Sequence, residues 1–240
     1  MSLIGKTALI TGGSKGLGLS IAKGLSKEGA NIILLSRSTS NLEYNVKNEL
    51  NKDYNQIHNF ITCDLSKPEL IQSSLINYSI FLQNVNILIN CAGISQNSIL
   101  FNTNYLEISK ILNINLTSSI ILSKLLLKPL ILNKPSSIIN ISSILALKGL
   151  KGTSIYSASK SGLIGFTKSL ASEIGSKGIR VNCISPGLIT DTDMGKGFHY
   201  DNALKRQSVD QLDIINTVLF LLNNQSITGQ NIVVDNGYLC

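Results

Sequence analysis

Runs of nearly unbroken apolar residues recur along the chain and alternate with stretches in which apolar residues return every three or four positions. The runs at 6–11, 31–35, 57–62, 85–89, 137–141, 179–184 and 231–234 predict strands buried on both faces, as in a parallel sheet covered by helices. The periodic stretches predict helices, one carrying Leu19, Ile21, Ala22 and Leu25 and others over 41–52, 67–82, 105–128, 156–174 and 211–222. Ser40 with Glu43 and Ser66 with Glu69 have capping-box spacing, and Pro68 suits a first helical turn. Pro129 and Gly178 stop the helices before them. The polar tract at 188–208, with glycines at 195 and 197, predicts a mobile lid with a short helix near 200–206. Strand and helix alternate without repeat or linker, so residues 1–240 read as a single three-layer α/β/α domain around a seven-stranded parallel sheet.

Composition adds limits to this picture. A hydrophobic content of 43% in 240 residues is enough for one sizeable core, and a charged content of only 15% leaves a surface that fits either an oligomer or an AT-rich codon usage. The net charge of +7 favours anionic substrates or cofactors. It does not point to nucleic acid, because the Lys and Arg residues are dispersed and aromatics make up only 5%. Cys63, Cys91, Cys183 and Cys240 show no CxxC spacing and read as thiols in a reducing compartment. With only His58 and His199, neither a His-rich zinc site nor a Ser-His-Asp hydrolase has much to be built from. The first apolar run leads straight into glycines and is too short to span a membrane, so neither membrane insertion nor secretion is expected. Its nearness to Met1 leaves no room for a removable presequence, and the compartment stays open between cytoplasm and mitochondrial matrix.

The chemistry-bearing residues lie where the predicted strands end. The first strand runs into Gly12-Gly13-Ser14-Lys15-Gly16-Leu17-Gly18 and then a helix, an arrangement that brings backbone N–H groups and a helix N-terminus to an anion. Its Gly-x-x-x-Gly-x-Gly spacing differs from the general dinucleotide fingerprint G-x-G-x-x-G. The second strand closes at Ser36-Arg37, where an acid would favour NAD; Arg37, with Lys15, instead suits a ribose 2'-phosphate and implies NADP(H). Asp64, after the third strand, either caps a loop or meets an adenine amine. The fourth strand ends in Asn90-Cys91-Ala92-Gly93, small enough to leave room for a ligand. Asn113 and Asn115 interrupt the apolar stripe of the long helix, and a buried amide there needs partners. The fifth strand delivers Ser142-Ser143. Tyr156 and Lys160 then fall one helical turn apart, where an ammonium can draw a phenol with a free pKa of about 10 towards the working range.

Taken in order, Thr11-Gly12-x-x-x-Gly16-x-Gly18, Asn90-x-Ala92-Gly93, Asn115, Ser143, Tyr156-x-x-x-Lys160 and Pro186-Gly187 resemble the motifs of the short-chain dehydrogenases/reductases, and the resemblance runs from Gly5 to Tyr238. Leu147-Lys148-Gly149, Arg180-Val181-Asn182 and Ile227-Thr228-Gly229 look most like the 3-oxoacyl-[acyl-carrier-protein] reductases of fatty acid biosynthesis, mitochondrial relatives included. The resemblance implies a Rossmann-like domain and catalysis by Asn115, Ser143, Tyr156 and Lys160. Tyr156 would donate a proton, Ser143 would hold the carbonyl oxygen, and Lys160 would tune the phenol and grip the nicotinamide ribose. Asn115 would hold a water. It further implies NADPH bound by Gly12, Ser14, Lys15, Gly16, Leu17, Gly18, Arg37, Asp64, Leu65, Asn90, Ala92, Gly93, Tyr156, Lys160, Pro186, Gly187 and Ile189. Partners implied are an acyl thioester, acidic acyl carrier protein contacting Lys134 and Lys177, and a homotetramer. Two departures stand out: Cys91 replaces the usual Asn or Ala, and the 194–214 segment is short, with one extra residue after Pro186-Gly187 that leaves Thr190 and Thr192 either side of the expected cofactor-contacting threonine. The alternatives are a broad carbonyl or quinone reductase, a steroid or sugar-alcohol dehydrogenase, and a cofactor-binding structural subunit of a hetero-oligomer.

Overall fold

A computed structural model of the protein describes residues 2–96, 98–195 and 201–240. Seven strands, β1 (Thr7–Thr11), β2 (Asn31–Ser36), β3 (Asn59–Thr62), β4 (Ile87–Asn90), β5 (Ser136–Ile141), β6 (Ile179–Pro186) and β7 (Asn231–Val234), form one Rossmann-like parallel sheet in the order β3-β2-β1-β4-β5-β6-β7. The order reverses between β1 and β4, and the crevice at such a switch point is where ligands sit in this architecture.

Two-residue alternation divides the core into two layers. Ala8 and Ile10 of β1 face Ile21, Ala22 and Leu25 of α1 (Gly16–Lys27) and Leu42 of α2 (Thr39–Asn48), together with residues of α8 (Gln211–Asn223). Leu9, between them, faces the other way. There it joins Ile71 and Leu75 of α3 (Pro68–Ile76), Leu82 of the short α4 (Ser79–Leu82), Leu122 and Leu126 of α6 (Ser118–Leu132) and Leu170 of α7 (Ser154–Ile174). Each such Leu or Ile removed from water stabilises the fold by about 1.5–3 kcal/mol.

Several predicted ends move. The helix predicted over 67–82 breaks at Asn77–Tyr78 into α3 and α4. Neither capping box forms: α2 already starts at Thr39, which puts Ser40 inside it, and the Ser66 hydroxyl donates to Asp64 Oδ1 at 2.8 Å. The long helix is α5 (Tyr105–Leu112) and α6 joined through a π-helical turn, Asn113–Thr117. It runs through Pro129 to Leu132, where the Asn133 N–H and side-chain amide both donate to the Pro129 carbonyl, each at 2.9 Å. Tyr105–Leu132 is long and apolar enough to cross a membrane by length and composition; in the fold, α6 packs on β4 and β5. Gly178, at φ +78°, makes the left-handed turn that stops α7 and its trailing turn. Of the predicted lid, 196–200 lie outside the described residues, and 201–206 form turns with no helix.

The four cysteines are free thiols, with Cys63 and Cys183 buried, Cys91 half-buried and Cys240 exposed. His58 is spent on structure: its Nδ1 accepts from the Ile32 N–H at 3.1 Å and its Nε2 donates to the Asn51 carbonyl at 2.8 Å.

Candidate active site

The carboxyl ends of the strands open into a cleft of about 770 Å³ that runs from the loop after β1 to the start of α7. Its floor is a close approach of two loops. The Thr11 hydroxyl accepts from the N–H groups of Cys91 and Ala92, both at 2.9 Å, and a Cβ on Gly12 would stand 3.1 Å from the Ala92 Cα. Gly12 also has φ +72°, so both space and conformation require glycine there. Gly18 serves packing instead, since a Cβ would come within 2.5 Å of the Gly12 carbonyl. The first turn of α1 contains no acid, and no side chain caps it. A helix N-terminus so arranged fits the pyrophosphate of a dinucleotide.

The end of the cleft beyond β2 and β3, where the adenosine of a dinucleotide would lie, carries Lys15, Ser36, Arg37, Asp64 and Leu65. Arg37 is exposed and acts on Asp64: partial burial opposes that carboxylate, but hydrogen bonds from the Ser66 N–H and hydroxyl, with the charges of Arg37 and Lys67, hold it below its ordinary range. Lys15 differs from expectation. Its Nζ pairs at 2.5 Å with Asp193, in the segment that follows Pro186-Gly187, and both side chains are largely exposed.

The catalytic end is buried. Lys160 is 3% exposed, and its Nζ donates to the Ile141 carbonyl at 2.8 Å and lies 5.9 Å from the centre of the Tyr156 ring. Burial pushes the ammonium down to about 8. Half-buried Tyr156 lies on the cleft wall with Ser143, whose Oγ accepts from the Leu145 N–H at 3.1 Å. Ser142 is a different kind of residue, because its hydroxyl is committed to the Lys160 carbonyl at 2.8 Å.

Asn115, fully buried in the π-helical turn, does not line the cleft. Its Oδ1 accepts from the Ile94 N–H at 2.9 Å, and its Nδ2 donates to the Ile94 carbonyl at 3.0 Å and the Ser159 hydroxyl at 3.1 Å. A Cβ on Gly93 would lie 3.3 Å from Lys160 Nζ and 3.5 Å from Asn115 Oδ1, so lysine and amide back onto the same glycine. The Asn115 side chain therefore braces the Gly93–Ile94 backbone against α7.

Of the other predicted contacts, Ser14, Gly16, Leu17, Ala92, Pro186, Gly187 and Ile189 line the cleft. Asn90 does not: its Nδ2 donates to Asn140 Oδ1 at 2.8 Å inside the sheet. Thr192, and not Thr190, reaches the cleft, with its methyl 3.8 Å from where a Cβ on Gly16 would be. Lys134, whose side chain packs over Gly178, and Lys177, the residue before that glycine, lie at the amino-terminal edge of β5 and β6, opposite the cleft. Cys91 lines the cleft, and burial pushes its thiol up to about 12, so it stays neutral beside Lys160. Sequence reasoning missed Gln96, a buried amide on the cleft wall. The only sequence signal for it was a polar side chain three residues beyond a strand-end motif.

Glycine floor, buried lysine and adjacent phenol define a nicotinamide-dependent oxidoreductase site, and the comparisons agree. The profile of the short chain dehydrogenase family matches residues 6–203, and the chain belongs to that family. A 3-oxoacyl-[acyl-carrier-protein] reductase, FabG, of Chlamydia trachomatis is 36% identical over 245 aligned positions covering 98% of each chain. Carbonyl reductase family member 4 of Xenopus laevis is 38% identical over 97% of each. Among solved structures, a short chain dehydrogenase of Burkholderia cenocepacia in complex with NADP superposes over the whole of both chains, with a TM-score of 0.88 and 29% identity.

Proposed function

We propose that the protein reduces the ketone of a 3-oxoacyl thioester to a 3-hydroxyacyl thioester with NADPH. The convergence of Tyr156, Ser143 and Lys160 on one wall of the cleft carries the reading. When bound, the cofactor supplies a hydride to the carbonyl carbon. Ser143 Oγ already accepts from the Leu145 N–H, so its own proton is available to the substrate oxygen, where negative charge develops. Tyr156 gives its phenolic proton to that oxygen, and the Lys160 ammonium offsets the charge left on the phenol. Asn115 holds the backbone against which the lysine rests.

NADPH in preference to NADH follows from Arg37 and the absence of an acid at the end of β2. The thioester follows from the relatives named 3-oxoacyl-[acyl-carrier-protein] reductase and from apolar Ile94, Ile144, Leu188 and Met194 in the cleft lining. Exposed Phe101, Tyr105 and Leu106 offer an apolar face for assembly into a homotetramer. Lys134 and Lys177 offer charge to an acidic carrier protein, although they lie at the sheet edge away from the cleft of their own subunit.

Acetoacetyl and longer 3-oxoacyl thioesters, on carrier protein and on coenzyme A, compared with small diketones and quinones, test the reading with NADPH and NADH. Thioesters are expected to give the higher kcat/KM. Diketones or quinones matching them would favour the second reading, a broad carbonyl reductase, to which the 38% identical Xenopus relative points.

A further inference from the structure

The first turn of α7 carries Tyr156, and like any helix start it presents N–H groups with no intrahelical acceptor. Its preceding residue supplies none. The Thr153 hydroxyl donates to the Leu150 carbonyl at 2.7 Å and caps nothing. The acceptor comes instead from a loop sixty residues away in the chain: Gln96 Oε1 takes the Ile155 N–H at 2.8 Å and the Tyr156 N–H at 3.3 Å. Gln96 Nε2 donates to the Ser98 carbonyl at 2.8 Å, and the residue is only 4% exposed.

The loop so anchored is the one that begins at Gly93, which backs Lys160, and Ile94, which is clamped by Asn115. Asn115 and Gln96 thus fasten the loop to the catalytic helix at two points. One holds it beside Lys160 and Ser159, the other at the backbone of Tyr156 itself. We infer that Gln96 is a positioning residue for the proton donor, fixing the start of α7 so that the Tyr156 hydroxyl meets the substrate oxygen alongside Ser143.

The inference rests on Tyr156 being the proton donor, and the test keeps the two apart. Both variants give up the Nε2 donation to the Ser98 carbonyl, so they differ in the acceptor: Gln96→Met preserves length and bulk while removing it, and Gln96→Glu keeps it for both N–H groups and adds a charge that a helix N-terminus favours. A displacement of about 1 Å at a reacting group costs on the order of 10²-fold in rate. Q96M is therefore expected to lower kcat by about 10- to 100-fold with cofactor KM within about twofold, and Q96E to recover most of that loss. A kcat for Q96M within about threefold of the parent, with Y156F inactive, would overturn the inference alone. An active Y156F would overturn the reading beneath it. If Q96M does not fold, Q96E decides: near-parental kcat supports positioning by the acceptor, and a kcat as low as expected for Q96M overturns it.

Discussion

The two ends of the cleft are built by different physics. At the adenosine end the groups are charged and largely exposed: Arg37 acts on half-buried Asp64, and Lys15 pairs directly with Asp193. At the catalytic end they are buried and neutral apart from Lys160, and amide hydrogen bonds hold them: Asn115 to Ile94 and Ser159, Gln96 to Ile155 and Tyr156. Exposed ion pairs are worth little and are screened by salt, whereas a buried amide that loses its partner leaves another group unsatisfied. The adenosine end can therefore exchange partners when a ligand arrives. The catalytic end keeps one geometry.

Substitutions should break this contrast unequally. Tyr156→Phe is expected to lower kcat by about 10²–10⁴-fold while cofactor binding, followed by fluorescence titration, changes less than about twofold. Asn115→Ala leaves the Ile94 N–H and carbonyl without their partner, and a loss of about 10²-fold in kcat with a lower melting temperature is expected. An unchanged melting curve would show that the brace is dispensable.

The buried half should also be the pH-sensitive one. Burial pushes Lys160 down to about 8, so the ammonium is lost as pH rises past that value, and kcat/KM for reduction should fall about tenfold per pH unit beyond it. Stability moves the opposite way. The unfolded chain keeps this proton up to about 10.5, so the contribution of Lys160 to stability grows as pH rises from about 8 to 10.5 and is lost on the way back down.

Effects at the adenosine end should be smaller and dependent on salt. Arg37→Ala is expected to lower kcat/KM with NADPH about tenfold and leave NADH within about twofold, narrowing the preference. Asp193→Asn frees Lys15 and should lower the KM for NADPH by about two- to threefold at low ionic strength, an effect that fades in high salt. Equal responses of NADPH and NADH to this change would mean that Lys15 does not reach the ribose phosphate.

The sheet, the glycine loop and the Tyr156–Lys160 pair were legible in the sequence because periodicity and local spacing encode them. Contacts distant in the chain were not. Nothing near Lys15 announces Asp193, and nothing near Tyr156 announces Gln96. Asn115 could be singled out, since an amide in an apolar stripe needs a reason, but its partners belong to a loop whose path the pattern leaves open. Ser40 and Ser66 misled for the opposite reason: capping-box spacing is local, and where α2 and α3 begin was decided elsewhere.

The π-helical turn at Asn113–Thr117 makes chain length there matter as much as side-chain identity. A π turn holds one residue more than the α turn it replaces, and one residue of α-helix corresponds to a rotation of about 100°. Deleting a residue from it would swing α5 relative to α6, so that Ile111 and Leu122 could no longer both face the core. Between two helices in fixed phase, the surplus residue is what turns Asn115 toward the loop behind the lysine. Substitutions in this turn, Asn115 apart, should be tolerated more readily than the loss of any one of its residues, whichever one that is.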